Sequence, residues 1–239
     1  MPTEIGVVEA LYRYPVKSMA GETLDVAELG WSGVEGDRRF AFRRVEERGG
    51  NPWLSAGRLS ALTSFVPIHQ GADQAPTHVR TPEGQELALF GDELAQEVKR
   101  RHGAPVQMMQ LRHGIFDEAS ISVIARSTVE EIARRSETEA DVRRFRPNIY
   151  IRTTDDKPLV EDEWVGSVLT FGEESDAPAI SITMRDLRCV MVNIDPEGGG
   201  TTPAVMKACV ALNENHAGVY ATVTRTGRLA VGQKVLLHR

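Results

Sequence analysis

The sequence predicts a mostly β fold with a few helices (α+β), its strands curled into barrel-like or curved sheets. Three observations carry this. Short apolar, β-branched runs recur along the whole chain, glycine- and proline-containing turns separate them, and helical spacing occurs in only three stretches.

In the first half, Ile5 to Arg13 is apolar and β-branched, and Pro15 ends it. Leu24 to Leu29 and Arg39 to Val45 read as strands on either side of a Gly33 to Asp37 turn. Leu59 to His69 reads as a further strand, and Val79 to Leu89 as a hairpin turning at Pro82-Glu83-Gly84. Asp92 to His102 has helical spacing, with Leu94, Ala95 and Val98 on one face. Val106 to Leu111 is again strand. Gly103-Ala104-Pro105 marks the expected division between a β-rich N-terminal domain, residues 1–104, and a second domain, residues 105–239.

In the second half, Ile121 to Ala125 is an apolar strand. Ser127-Thr128-Val129-Glu130 has the pattern of a capping box, so a helix to about Arg135 should follow. Ile149 to Arg152, Val168 to Phe171 and Ala179 to Met184 are strand-like. Thr202-Pro203 starts a helix to Leu212, with proline at its first position. Strands at Val219 to Arg225 and Lys234 to His238 end the chain.

The chain has 239 residues, enough for one large domain or two small ones with real cores. A formal net charge of −6 argues against a general nucleic-acid binder, which would present a basic face. No basic segment followed by a long apolar run is present, so neither a signal peptide nor a membrane span is expected. Cys189 and Cys209 alone make no disulfide scaffold, and the expected compartment is a reducing cytoplasm. The phosphate-binding pattern G-x-x-x-x-G-K-[ST] is missing, and Gly198-Gly199-Gly200 reads as a loop. The histidines show no metal-binding spacing, which argues against zinc.

Short polar clusters at the ends of apolar strands remain. In Tyr14-Pro15-Val16-Lys17-Ser18, Lys17 is either a solvated loop lysine or an anion contact in a groove. In Gly33-Val34-Glu35-Gly36-Asp37-Arg38, Asp37 is placed to fix the turn through its own backbone, sending Arg38 out in a defined direction. In Arg144-Phe145-Arg146-Pro147-Asn148-Ile149, Arg146 suits a phosphate or carboxylate and Asn148 a heterocycle edge; surface ion pairs and a turn cap are the equal alternatives. In Leu187-Arg188-Cys189, the neighbouring arginine favours a thiolate, a soft ligand for a thiophilic metal. Cys209 lies mid-helix and reads as core.

Taken in order, Tyr14-Pro15-Val16-Lys17-Ser18, Gly36-Asp37-Arg38, Phe145-Arg146-Pro147-Asn148-Ile149, Glu161-Asp162-Glu163-Trp164 and Arg188-Cys189, followed by Val192-Asn193-Ile194-Asp195-Pro196, resemble the motifs of the MOSC superfamily with its N-terminal β-barrel domain. Relatives include the mitochondrial amidoxime-reducing components, their bacterial counterparts and the C-terminal domain of molybdenum cofactor sulfurases. Met19, Leu187 and the Ala125-Arg126 segment depart from the pattern. The resemblance implies a pterin molybdenum cofactor (molybdopterin) ligated through Cys189, the metal ligand and catalytic residue. It also implies cofactor contacts from Lys17, Ser18, Arg38, Arg146 and Asn148, with Arg188 beside the ligand and Ser127 matching a small hydroxyl residue at a helix start.

The implied activity is that of an oxidoreductase reducing a small N-oxygenated molecule. No iron–sulfur or flavin motif is evident, so electrons would come from a separate ferredoxin-, flavodoxin- or cytochrome-type donor with its reductase. The alternatives are a cofactor carrier or sulfur-handling protein using Cys189, without a pyridoxal phosphate domain, and a non-catalytic anion-binding module. Neither nucleic acid nor membrane is an expected partner.

Overall fold

Both ends of the chain meet in one barrel. The computed structural model describes residues 2–70, 75–198 and 200–239; Gly199 of the glycine run lies outside them. The first half contributes β1 (Thr3–Arg13), β2 (Glu22–Leu24), β3 (Val26–Gly30), β4 (Gly33–Val34) and β5 (Phe40–Arg44). Then come β6 (Val66–Ile68), β7 (His78–Arg80), β8 (Glu86–Ala88), helix α1 (Asp92–His102) and β9 (Val106–Gln110). The second half runs β10 (Ile121–Ala125), α2 (Arg126–Ser136), β11 (Ile149–Thr153), β12 (Val168–Phe171), β13 (Ala179–Leu187), α3 (Pro203–Asn213), β14 (His216–Arg225), β15 (Gly227–Ala230) and β16 (Lys234–His238).

Strands β11, β10, β14, β13, β12, β16 and β1 pair in that order, and β1 pairs back to β11, closing a 7-strand barrel. Closure leaves the barrel's main strands without a free edge. The pair β10–β11 is parallel and the other barrel pairs are antiparallel. A parallel pair needs a crossover, and α2 supplies it. Strand β1 bends through register shifts at Glu4/Gly6 and Val8/Ala10. Gly6 is required there, since a Cβ would lie 2.3 Å from the Arg152 carbonyl oxygen.

Alternation along each strand fills the barrel. Val8 and Leu11 of β1, Ile121 and Val123 of β10, Ile180 and Ile182 of β13 and Val219 and Ala221 of β14 pack inward with Trp164 and Phe171. Ile124 faces the other way, into a layer with Val129 and Ile132 of α2 and Val205, Ala208 and Cys209 of α3. Strand β10 is therefore buried on both faces, which explains its unbroken apolar run. Cys209 is buried in the core, and that burial pushes its thiol up to about 11. A separate core of Val16, Met19, Phe40, Phe65, Val98 and Met108 joins β5 and β9, the β6–β7–β8 sheet and α1.

Three local expectations are corrected. Residues Leu59 to His69 form a 3-10 turn, Ser60–Ser64, and only then the short strand β6. Leu62 and Phe65, three apart, both turn into the core, a spacing that suits a three-residue turn better than strand alternation. Leu24 to Leu29 is broken at Asp25 into β2, which pairs with β1, and β3, which pairs with β15. The capping box does not form: α2 begins at Arg126, its N-cap is Ala125, and Glu130 takes the Arg126 guanidinium at 2.7 Å instead. Among the described residues, no helix is long and apolar enough to cross a membrane.

Candidate functional site

Where loops beside β1, β5, β10, β11 and β13 converge, they enclose a cavity of about 420 Å³. Lys17, Ser18, Arg38, Arg146, Arg188 and Cys189, widely separated in the chain, all line it. The volume lies within the range of small-molecule sites.

Tyr14 organises one wall. Its ring is buried, the Arg38 guanidinium carbon stands 4.9 Å from the ring centroid, and that of Arg146 stands 4.1 Å away. Asp37 ties the first two motifs together: its Oδ1 accepts from the Tyr14 backbone N–H at 2.7 Å, and its Oδ2 pairs with Arg38 Nη1. Its carboxylate is thus spent on Tyr14 and Arg38, and not on its own turn as the local sequence predicts. Arg38 Nη2 donates to the Arg146 carbonyl at 3.0 Å, joining the third motif.

Backbone conformation singles out the same residues. Ser18 (φ 69°), Arg38 (φ 51°) and Arg146 (φ 51°) all occupy the left-handed region that non-glycine residues avoid. Among the remaining non-glycine residues of positive φ, Glu137 and Glu214 simply close helices. Left-handed side-chain-bearing residues concentrated in one cavity are a mark of a functional site.

The cations are satisfied unequally. Lys17 Nζ donates to Asp117 Oδ1 at 2.7 Å and to the Ile115 carbonyl at 3.3 Å. Arg188 is buried and committed: Nε donates to the Ala217 carbonyl at 2.6 Å, Nη1 to the Phe145 carbonyl at 2.8 Å, and Nη2 lies 2.9 Å from Asp186 Oδ2. These contacts tie the wall at Arg188 to β13, β14 and the Phe145 segment. Arg146 Nη2 is buried and has no partner. Burial, with Arg38 nearby, pushes the Arg146 guanidinium down to about 10. Cys189 is exposed on the cavity wall, at the start of the 3-10 turn Val190–Asn193.

Two expected residues lie elsewhere. Asn148 is buried beside a smaller recess, and its amide is used by backbone: Oδ1 accepts from the Ser122 N–H at 3.2 Å and Nδ2 donates to the Tyr12 carbonyl at 3.3 Å. Ser127 is outside the cavity; its hydroxyl donates to the Lys157 carbonyl at 3.0 Å.

Asp117, Ser122, Asp186, Tyr220 and Trp53, which sequence reasoning misses, also line the cavity. Asp117 sits in a polar stretch just before an apolar strand, the same signal that marks Arg146. Asp186 is buried, accepts the Ser122 hydroxyl at 3.0 Å, and has its carboxyl pushed up by burial against the opposing pull of Arg188. Its signal is a lone carboxylate within an otherwise paired strand.

Comparison with known proteins agrees with this architecture. Residues 98–236 match the family described as MOSC domain, and residues 5–114 that described as MOSC N-terminal beta barrel domain. The crystal structure of the YuaD protein from Bacillus subtilis is 13% identical, with 100% of this chain and 98% of that one covered, at a TM-score of 0.54. That of YiiM from Escherichia coli is 11% identical, covering 100% and 70%, at 0.43. The first likeness supports a shared fold and nothing finer. No curated protein matches the chain.

Proposed function

The chain belongs to the MOSC domain family, with the family's N-terminal β-barrel domain preceding it, and from that premise we propose that its cavity binds a pterin molybdenum cofactor through Cys189. The observation that carries this reading is the unpartnered Arg146 guanidinium in a cavity that also presents Lys17, Arg38 and an exposed thiol. A buried cation without an acceptor is costly, and an anionic ligand would relieve it. A phosphate-bearing pterin brings the anion, and its metal matches a soft thiolate.

In this reading Cys189 ligates the metal, while Lys17, Arg38 and Arg146 hold the negative charge. Ser18 offers a hydroxyl from a left-handed backbone position. Asn148 acts from behind the wall, holding the Ser122 backbone of β10, and Arg188, on the wall itself, holds the Phe145 carbonyl. The cofactor, when bound, supplies two-electron oxygen-transfer chemistry, and the protein supplies position and electrostatics. The activity we infer is reduction of a small N-oxygenated compound, taking up two electrons and two protons and releasing water. A separate donor protein delivers the electrons.

The test is molybdenum and pterin content of wild type and Cys189→Ala, purified anaerobically from a host that loads a control molybdoenzyme. Near-stoichiometric metal and pterin in wild type, with metal lost in the variant, is the expected result. Neither metal nor pterin in wild type would sink the proposal. The exposure of Cys189 favours one other reading, sulfur carriage as a persulfide; a Cys189 persulfide without bound pterin would select it.

A further inference from the structure

Arg144, Arg146 and Met191 have a second cavity on their other side. It measures about 70 Å³, and these three residues line both it and the larger one. Tyr12, Tyr14, Thr63 and Arg143 complete its polar lining, with exposed Gly21 and Thr23 on its solvent side. Gly21 has a reason to be glycine: a Cβ there would lie 2.4 Å from Cε1 of the Tyr14 ring.

The donors around this cavity outnumber their acceptors. Tyr14 is 1% exposed, and its hydroxyl has no hydrogen-bond partner. Arg144 spends Nη1 on the Asn193 and Ile194 carbonyls and has Nη2 3.7 Å from Asp195 Oδ2, but its buried Nε has no partner. Arg146 adds the unpartnered Nη2. Arg143, at the rim, is already paired with Asp141 and Glu197. No carboxylate is among the described residues that line the cavity. Guanidinium and phenol donors left unpartnered beside a cavity that no carboxylate lines are the complement of an oxyanion, which offers several acceptor oxygens at once.

We propose that this cavity is a separate binding site for a small tetrahedral oxyanion of the phosphate or sulfate class, entering past Gly21 and Thr23. The cavity is a small fraction of the larger one, about 70 against about 420 Å³, and suits a small occupant, with Arg144, Arg146 and Met191 lining both. Because Arg146 borders both spaces, an anion in either lowers the affinity of the other for a second anion, and the coupling is reciprocal.

Selenate soaked into crystals of the protein tests this, since its selenium is located by anomalous scattering. The expected peak lies within hydrogen-bond distance of the Tyr14 hydroxyl and persists in Lys17→Met, which alters only the larger cavity. In solution, Tyr14→Phe removes a single oxygen and should weaken calorimetrically measured inorganic phosphate binding about tenfold at this site. Arg144→Gln should do the same, and Tyr14→Phe alone decides the matter if that variant fails to fold. Selenate confined to the larger cavity, or phosphate affinity unmoved by Tyr14→Phe but abolished by Lys17→Met, would overturn the proposal.

Discussion

Arg146 carries two burdens at once: a left-handed backbone (φ 51°) and a buried guanidinium nitrogen with no acceptor. Neither helps the ligand-free protein fold. Replacing a partly desolvated cation that lacks a hydrogen-bond acceptor, and keeps only its contact with the Tyr14 ring, with an apolar chain of similar length is neutral or stabilising. Arg146→Met should therefore leave the cofactor-free protein as stable as wild type or raise its stability by ~1 kcal/mol. The same change should cut retention of an anionic cofactor by about tenfold or more, the usual worth of a charge-assisted hydrogen bond. Urea unfolding and metal analysis measure the two effects separately, and a variant that loses both stability and cofactor would contradict the expectation. At this scale the sequence is informative about which residues gather and less so about what they do there. Arg146 stands out as a guanidinium before an apolar strand. Asn148 stands out in the same way, yet its amide is absorbed by the Tyr12 and Ser122 backbone, partners distant in the chain.

At the scale of elements, the start of α2 shows why local patterns mislead. Ser127 and Glu130 have the capping-box spacing, but the carboxylate that reaches this helix start comes from Glu161 on the 3-10 turn Val160–Trp164. Its Oε2 accepts the Thr128 hydroxyl at 2.8 Å, and its Oε1 accepts the Ala125 N–H at 3.4 Å. Full burial outweighs those bonds and pushes the carboxyl up from 4.5 to about 7. The sign follows: the folded state binds this proton more tightly than the unfolded state does. Its stabilising contribution is full below about pH 4.5 and is lost as pH rises through about 7. Glu161→Gln keeps the shape and removes the titration. The variant should hold its melting temperature between those pH values while wild type declines. At pH 8 it should be the more stable protein by a few kcal/mol, since each tenfold difference in proton affinity is worth about 1.4 kcal/mol. Parallel curves for the two proteins would show that Glu161 does not titrate there. Strong periodicity is legible by contrast: α1 occupies Asp92–His102, as its Leu94 and Val98 face predicts.

Across the whole molecule, the interlocking of the two halves is the part least visible in the sequence, because strand partners are set by tertiary register and not by neighbours in the chain. The apolar run beginning near Ile5 announces a strand; nothing in it announces β11 and β16 as partners. Yet β1 pairs with β11 from Gly6 to Leu11 and with β16 from Thr3 to Val7, so it is the strand that closes the ring. Val8 and Leu11 from β1 and Ala27, Leu29 and Val34 from the following segment also fill the barrel interior. Strand β15 pairs with β3. A chain of residues 105–239 alone would expose the edges of β11 and β16 and leave a gap in the core. Open edges and lost core volume both destabilise and promote association. We therefore expect that fragment to lack a cooperative thermal transition and to associate in solution. Supplying residues 1–104 as a separate chain should restore the transition, because the missing strand and its inward side chains would return together. Scanning calorimetry with sedimentation analysis decides it. A monomeric fragment that melts cooperatively by itself would show that the barrel closes without β1, and that the cavity's dependence on Lys17 and Arg38 is a matter of docking between units that fold separately.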